Sequence, residues 1–168
     1  DPMGVEAVSI DGTSGTIVAI DSDGNPQFQA LLYGDKRAQK EADEVLKRSE
    51  SAKRYQELLP IDASLVLPKI LWLRRNFRHF PTTVSAILHE SDFIVYKMCG
   101  VKVTSPNVAG KAHVDVRSKD YLQGIYEELD IPLSLLPPIK EVGCIVGQVS
   151  KDASLKTRLP QGIPVVNG

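Results

Sequence analysis

The stretch richest in reactive groups is Ile10-Asp11-Gly12-Thr13-Ser14-Gly15-Thr16. Gly12 and Gly15 permit tight backbone turns and close approach of a ligand. Thr13, Ser14 and Thr16 supply hydroxyls and Asp11 a carboxylate, a set suited to a polyhydroxylated ligand or a phosphate. An ordinary β-turn draws on the same residue types. A second polar group, Arg74, Arg75, Arg78 and His79, reads as a phosphate-binding patch or as cations gathered at a helix C-terminus, and the helix dipole favours the second reading. The three histidines, His79, His89 and His113, show no i, i+4 pairing, and neither Cys99 nor Cys144 stands beside one, so no metal site is expected. The sequence contains no G-x-S-x-G elbow, no G-x-x-x-x-G-K-[ST] loop and no G-x-G-x-x-G.

The elements that must position these groups change character along the chain. Residues 5–10 and 16–21 read as strands, and Asp23-Gly24 between two apolar runs predicts a hairpin of 16–21 with 27–33 through a type I′ turn. From Ala38 to Leu59 the apolar residues Ala42, Val45, Leu46, Ala52, Tyr55 and Leu58 follow a helical face, with Glu and Lys on the other side and Pro60 as the stop. A second helix is expected from Ser64, with Pro68 in its first turn. Further helices are expected over 92–99, closed by Gly100, and over 119–129. The last stretch reads as a strand over 144–149, a helix over 150–157 capped by Ser150, and a strand entry at 162–166. Strands, a helical block and a strand–helix–strand tail make an α/β pattern. We divide it as 4–37 (strands and turn), 38–130 (mainly helical) and 131–168 (tail).

Composition narrows the function classes. Lys plus Arg is 20 and Asp plus Glu is 21, so the net charge of −1 lacks the electrostatic footprint of nucleic-acid or anionic-membrane binding. With 42% apolar and 24% charged residues, the 168-residue chain has the make-up of a globular domain. No apolar run approaches the ~20 residues of a membrane helix, and no basic-then-apolar leader opens the chain. The two distant cysteines read as reduced thiols of a cytoplasmic protein. Asp1-Pro2-Met3 is set apart from the fold, with Met3 readable as a start residue or as a residue left by expression.

Taken in order, the motifs resemble the first domain of the FGGY-family carbohydrate kinases. Val8–Ile20 with Asp21 and Asp23-Gly24 is similar to that family's strand, sugar-side turn and second strand, and Tyr33-Gly34-Asp35-Lys36-Arg37-Ala38 to its W-x-D-x-R motif, with Tyr33 in place of Trp. Pro68-Lys69-Ile70-Leu71-Trp72-Leu73 looks like K-x-x-W-L. Glu90-Ser91-Asp92-Phe93-Ile94 with Cys99-Gly100 looks like the D-[YF]-[IL] … L-T-G helix. Thr104 to Ala109 falls on T-D-x-x-N-A, with Ser105 at the Asp position. Leu135-Leu136-Pro137-Pro138-Ile139, Gly143-Cys144-Ile145-Val146-Gly147 and the run from Leu159 to Gly168 resemble L-L-P-x-[IV], G-x-x-[IV]-G and L-P-x-G-x-P-V-x-x-G, with Arg158 where Gly is usual.

The resemblance implies part of an RNase H-like (actin-like ATPase) domain with a helical insertion. It implies a parent enzyme that phosphorylates a ketopentose or similar sugar with ATP and Mg2+. Thr13, Ser14 and Gly15 would line the sugar pocket, joined by Asp35 and Arg37, whose other reading is a structural ion pair steadying the strand-to-helix turn. The family's N-terminal phosphate motif, its catalytic Asp and its ATP-clasping second domain would fall outside these 168 residues. No catalytic or metal-binding residue is therefore expected in this chain, nor stable binding of ATP or Mg2+, nor turnover by it alone. The alternative is a truncated product that keeps a sugar-binding or protein-interaction role, with self-association into a homodimer through exposed sheet edges. A third reading, an actin-like ATPase outside sugar metabolism, is opposed by the L-P-x-G-x-P-V tail.

Overall fold

The computed structural model describes residues 4–115 and 117–168, so Met3 lies outside the described residues. Strand β1 (Val8–Ser9) leads through the turn into β2 (Ile17–Ile20). Helices α1 (Gln39–Arg48), α2 (Glu50–Tyr55), α3 (Val66–Asn76) and α4 (Phe80–Thr83) intervene before β3 (Ala86–His89). Helix α5 (Glu90–Cys99), a 3-10 turn (Val108–Ala112) and α6 (Gln123–Glu128) follow. The chain then adds β4 (Ile145–Gln148), α7 (Lys151–Thr157) and β5 (Pro164–Val166).

Two small sheets organise these elements. In one, β2 pairs antiparallel with β3, Ile17 opposite His89 and Ile20 opposite Ala86. In the other, β5 lies between β1, to which it is parallel, and β4, to which it is antiparallel. All four residues of β2 and of β3 are buried, because the two alternating faces of the pair are both covered by helices. Ile17, Ala19 and Ile87 face a large core with Val45, Leu67, Ile70 and Leu73 of α1 and α3 and Ile125 of α6. Val18, Ile20, Ala86 and Leu88 face Phe93 and Tyr96 of α5. The other side of α5 supplies Val95 and Met98 to a smaller core with Val149, Ala153 and Val165. Helix α5 is thus the joint between the β2–β3 layer and the three-stranded sheet.

Several sequence expectations change. Residues 25–33 do run antiparallel beside β2, but only as the isolated bridges Ile20–Pro26 and Ile17–Leu31. Pro26 has no N–H to give, so the ladder is interrupted there. The turn is not type I′, since only Gly24 has positive φ (79°). Asp21 closes it instead, accepting the N–H groups of Asp23 and Asn25 at 2.9 and 2.8 Å. The expected helix over 38–59 is broken at Ser49, whose extended backbone (φ −114°, ψ 114°) ends α1 while its hydroxyl accepts the Ala52 N–H and caps α2. Lys119 takes φ 59°, which confines the expected 119–129 helix to α6. Helix α4 and strand β3 were not expected, although the run Val84-Ser85-Ala86-Ile87-Leu88 carried the signal for the strand. Pro68 lies in the first turn of α3, Gly100 closes α5 at φ 77°, and Ser150 caps α7, as the sequence implied.

Candidate functional site

The turn between β1 and β2 is held from outside itself. Glu90, the first residue of α5, accepts through Oε1 from the Thr13 N–H (2.6 Å) and the Thr13 hydroxyl (2.7 Å). Ser14 donates its hydroxyl to the Val108 carbonyl at 2.9 Å. The Gly15 N–H points to Nδ1 of His89 at 3.3 Å. The Gly15 carbonyl accepts from Lys69 Nζ at 2.6 Å. Gly15 has φ 91°, and a Cβ there would lie 2.7 Å from Lys111 Cδ and 3.0 Å from the Ser64 carbonyl, so only glycine fits. With its proton given to Val108, the Ser14 hydroxyl keeps acceptor lone pairs, and the second oxygen of Glu90 is a further acceptor. Acceptors arrayed on a fixed turn suit the hydroxyl donors of a polyol.

The second expected group is tied to the first. Thr16 Oγ1 lies 2.8 Å from Thr13 Oγ1 and accepts the Tyr33 N–H at 2.9 Å, so the loop 33–37 begins beside the turn. Within it, Arg37 donates through Nε to Asp35 at 2.8 Å and through its amide at 3.0 Å. The guanidinium of Arg37 also lies 5.0 Å from the centroid of the Trp72 ring. Burial pulls the Asp35 carboxyl upward, but the amide and guanidinium of Arg37 outweigh it and hold the group below its ordinary value. Lys111 flanks both groups, its ammonium 5.8 Å from the Tyr33 ring centroid.

Three site residues were not singled out from the sequence. Lys69 and Glu90 were noticed only as parts of family-like strings, and His89 only as a histidine without a metal partner. Burial, with the Lys69 ammonium nearby, pushes His89 down to about 4, so the ring is neutral and its Nδ1 lone pair accepts from Gly15. Asp92, the third residue of α5, is buried and pushed up to about 7 by desolvation, against the pull of the His89 N–H on its Oδ2. The arginine cluster resolves differently. Arg75 bridges Glu41 (2.5 Å) and Glu44 (2.6 Å) of α1, and Arg74 donates to the Asp130 carbonyl, so both are engaged in holding helices together.

Among the described residues no group of three or more His, Cys, Asp or Glu side chains is placed to hold a metal ion. Both cysteines are free thiols. No described helix is long and apolar enough to cross a membrane. A cavity of about 620 Å³ lies between α2 and α6, lined by Tyr55, Leu59, Val114, Leu122 and Ile125 among others, and it shares no residue with the turn.

With this geometry in place, comparison with known proteins gives a consistent picture. The N-terminal domain of the FGGY family of carbohydrate kinases matches residues 1–168. An autoinducer-2 kinase of Escherichia coli is 28% identical over 99% of this chain and 32% of its own length. An L-fuculokinase of Escherichia coli is 28% identical over 96% of this chain and 34% of its own. A xylulose kinase of Staphylococcus xylosus is 26% identical over 96% and 34%. The crystal structure of a xylulose kinase from Rhodospirillum rubrum superposes with a TM-score of 0.84 at 22% identity, over 97% of this chain and 34% of that one. The chain therefore has the fold of these kinases and spans about a third of the length of the curated relatives it matches.

Proposed function

The chain belongs to the FGGY family of carbohydrate kinases, and from that premise we propose that it forms the sugar-facing wall of a cytoplasmic enzyme that phosphorylates a ketopentose or similar sugar with MgATP. The observation that carries the reading is the Thr13–Gly15 turn. Its conformation is held by Lys69, the adjacent pair His89 and Glu90, and Val108, from three separate parts of the chain, before any ligand arrives. A site fixed in advance loses little freedom on binding, and its polar groups discriminate against a sugar that leaves one of them unpaired.

In this reading Thr13, Ser14 and Gly15 bind the sugar, and Asp35 and Arg37 border it from the adjoining loop. MgATP, when bound, supplies the phosphoryl group and neutralises its charge. In this reading no residue of this chain is assigned to Mg2+ or to the catalytic base. The work of this chain is to hold and orient the acceptor hydroxyl, positioning being, with electrostatic stabilisation, what the protein contributes to phosphoryl transfer. The ketopentose is the narrower part of the proposal, since the relatives are named for autoinducer-2, L-fuculose and xylulose.

The test is ADP release by the full-length protein with MgATP and a panel of D-xylulose, D-ribulose, L-fuculose and glycerol. Turnover on a ketopentose, with the KM for sugar rising about tenfold or more in Ser14→Ala, is the expected result. Absence of sugar-dependent ADP release across the panel defeats the reading, and preference for L-fuculose defeats its ketopentose part.

A further inference from the structure

Lys69 is placed where ordinary rules disfavour a lysine. It is fully buried, in the first turns of α3, where the positive end of the helix dipole opposes a cation. Its side chain runs back toward the helix start, and Nζ meets three carbonyl oxygens: Gly15 at 2.6 Å, Leu32 at 2.9 Å and Ser64 at 3.1 Å. An ammonium has three N–H donors, so the count is filled with none left over. The three acceptors come from three segments: the sugar-side turn, the end of the stretch that runs beside β2, and the approach to α3. A buried aliphatic side chain would fill the space equally well. What the ammonium adds is a fixed spacing between those segments.

We infer that Lys69 is the positioning residue of the sugar site, setting the Thr13–Gly15 turn against the loop that carries Asp35 and Arg37. This rests on the reading of that turn as the place where sugar binds. Because Lys69 acts through backbone carbonyls and does not itself reach the ligand, its influence falls on sugar affinity more than on turnover. The titratable groups facing it are Asp35 from the loop, Asp62 ahead of α3, Lys111 from the 3-10 turn and the neutral His89 from β3. Burial and Lys111 push Lys69 down to about 8, against the pull of the two aspartates. When it loses its proton, two N–H donors remain for three carbonyls. The turn then loosens even though global stability gains from this group: the unfolded chain binds the proton more readily than the folded one between about 8 and 10.5, so stability rises with pH there. A local change in that window is therefore distinguishable from general unfolding.

The experiment is amide hydrogen exchange and steady-state kinetics on the full-length protein, wild type and Lys69→Met. In the variant, protection at Gly15, Thr16 and Tyr33 should fall about tenfold or more, with Ala153 in α7 unchanged, and the KM for sugar should rise by a similar factor with kcat nearly constant. In the wild type, protection at the same three amides should fall relative to Ala153 as pH passes about 8, and this step should be missing from the variant. Unchanged turn amides, or loss of protection spread equally to α7, overturns the inference. If Lys69→Met does not fold, Lys69→Gln, which keeps two N–H donors for the three carbonyls, decides: a loss of protection confined to the turn amides supports the inference, and unchanged turn amides overturn it. If the turn amides respond but no sugar is phosphorylated, Lys69 still positions the turn and it is the sugar reading that fails.

Discussion

Helix α7 in the tail and the turn between β1 and β2 are similar in length and are built by different physics. In α7 the ordering hydrogen bonds are short in sequence. Ser150 caps α7 through the Ala153 N–H at 3.1 Å, Lys156 pairs with Asp152 one turn away, and Ser154 donates to the Leu159 carbonyl. Around the turn the contacts span the chain. Lys69 reaches Gly15 across 54 residues, Glu90 reaches Thr13 across 77, and Ser14 reaches Val108 across 94. The conformation of α7 is therefore largely its own, whereas the turn's is imposed by α3, β3, α5 and the 3-10 turn together. A binding site gains from the second arrangement, because no single fluctuation of a local segment can relax it.

The contrast is broken most severely by Gly15→Ala. The added methyl must adopt φ 91° and would meet Lys111 and the Ser64 carbonyl, one of the three groups that Lys69 holds. Left-handed strain and overpacking together cost about 3 kcal/mol. The expected outcome is a lowered thermal midpoint together with loss of sugar binding, measured by calorimetry on the full-length protein. Gly143→Ala in the tail also stands at positive φ (82°), but with open space around it, and should pay the backbone strain alone. Equal effects of the two substitutions would remove the distinction drawn between the regions.

This division also governs what could be read from the sequence. Caps, chain stops and helix entries were legible at Ser150, Gly100 and Pro68, since each acts on neighbours within a few residues. The turn itself was legible from its Gly and hydroxyl content. Its supports were not, because nothing in the spacing of Lys69, His89 and Glu90 says that they converge on residues 13–15. The break at Ser49 was hidden for the same reason: the amphipathic pattern runs through it, and the residue is drawn out of the helix by Glu128 of α6, to which its hydroxyl also donates. Strand β3 was missed because its four buried residues lack the alternation of a half-exposed strand.

Asp92 tests the joint between the two regions. Its folded pKa of about 7 stands above the unfolded value of 3.8, so the folded state keeps the proton. The stability from this group is complete below about 3.8 and is lost as pH rises through 7. His89 and His113 run the other way. Both are held at about 4 by burial, so their contribution is complete above 6.5 and is lost as pH falls through 4. Asp92→Asn should be more stable than the wild type by about 2 kcal/mol at pH 8, with the gap closing toward pH 4. Thermal midpoints across pH 4–8 check this, and a gap independent of pH would mean that Asp92 is ionised in the folded protein at every pH tested.

The smallest effect sharpens the local side of the comparison. Arg158 closes α7 in the left-handed conformation, φ 65° and ψ 12°, with its N–H bonded to the Ser154 carbonyl at 2.8 Å. Its side chain forms no ion pair among the described residues. Glycine relieves a strain of about 1–2 kcal/mol at such a position and returns part of it as unfolded-chain entropy. Arg158→Gly should therefore stabilise the tail by about 0.5 kcal/mol and leave the KM for sugar unchanged. Exchange protection at Ser154 and Leu159 would rise while that at Gly15 and Tyr33 stayed constant. If the turn amides responded as well, the tail would be coupled to the site through α5, which packs on both, and the two regions would have to be treated as one cooperative unit.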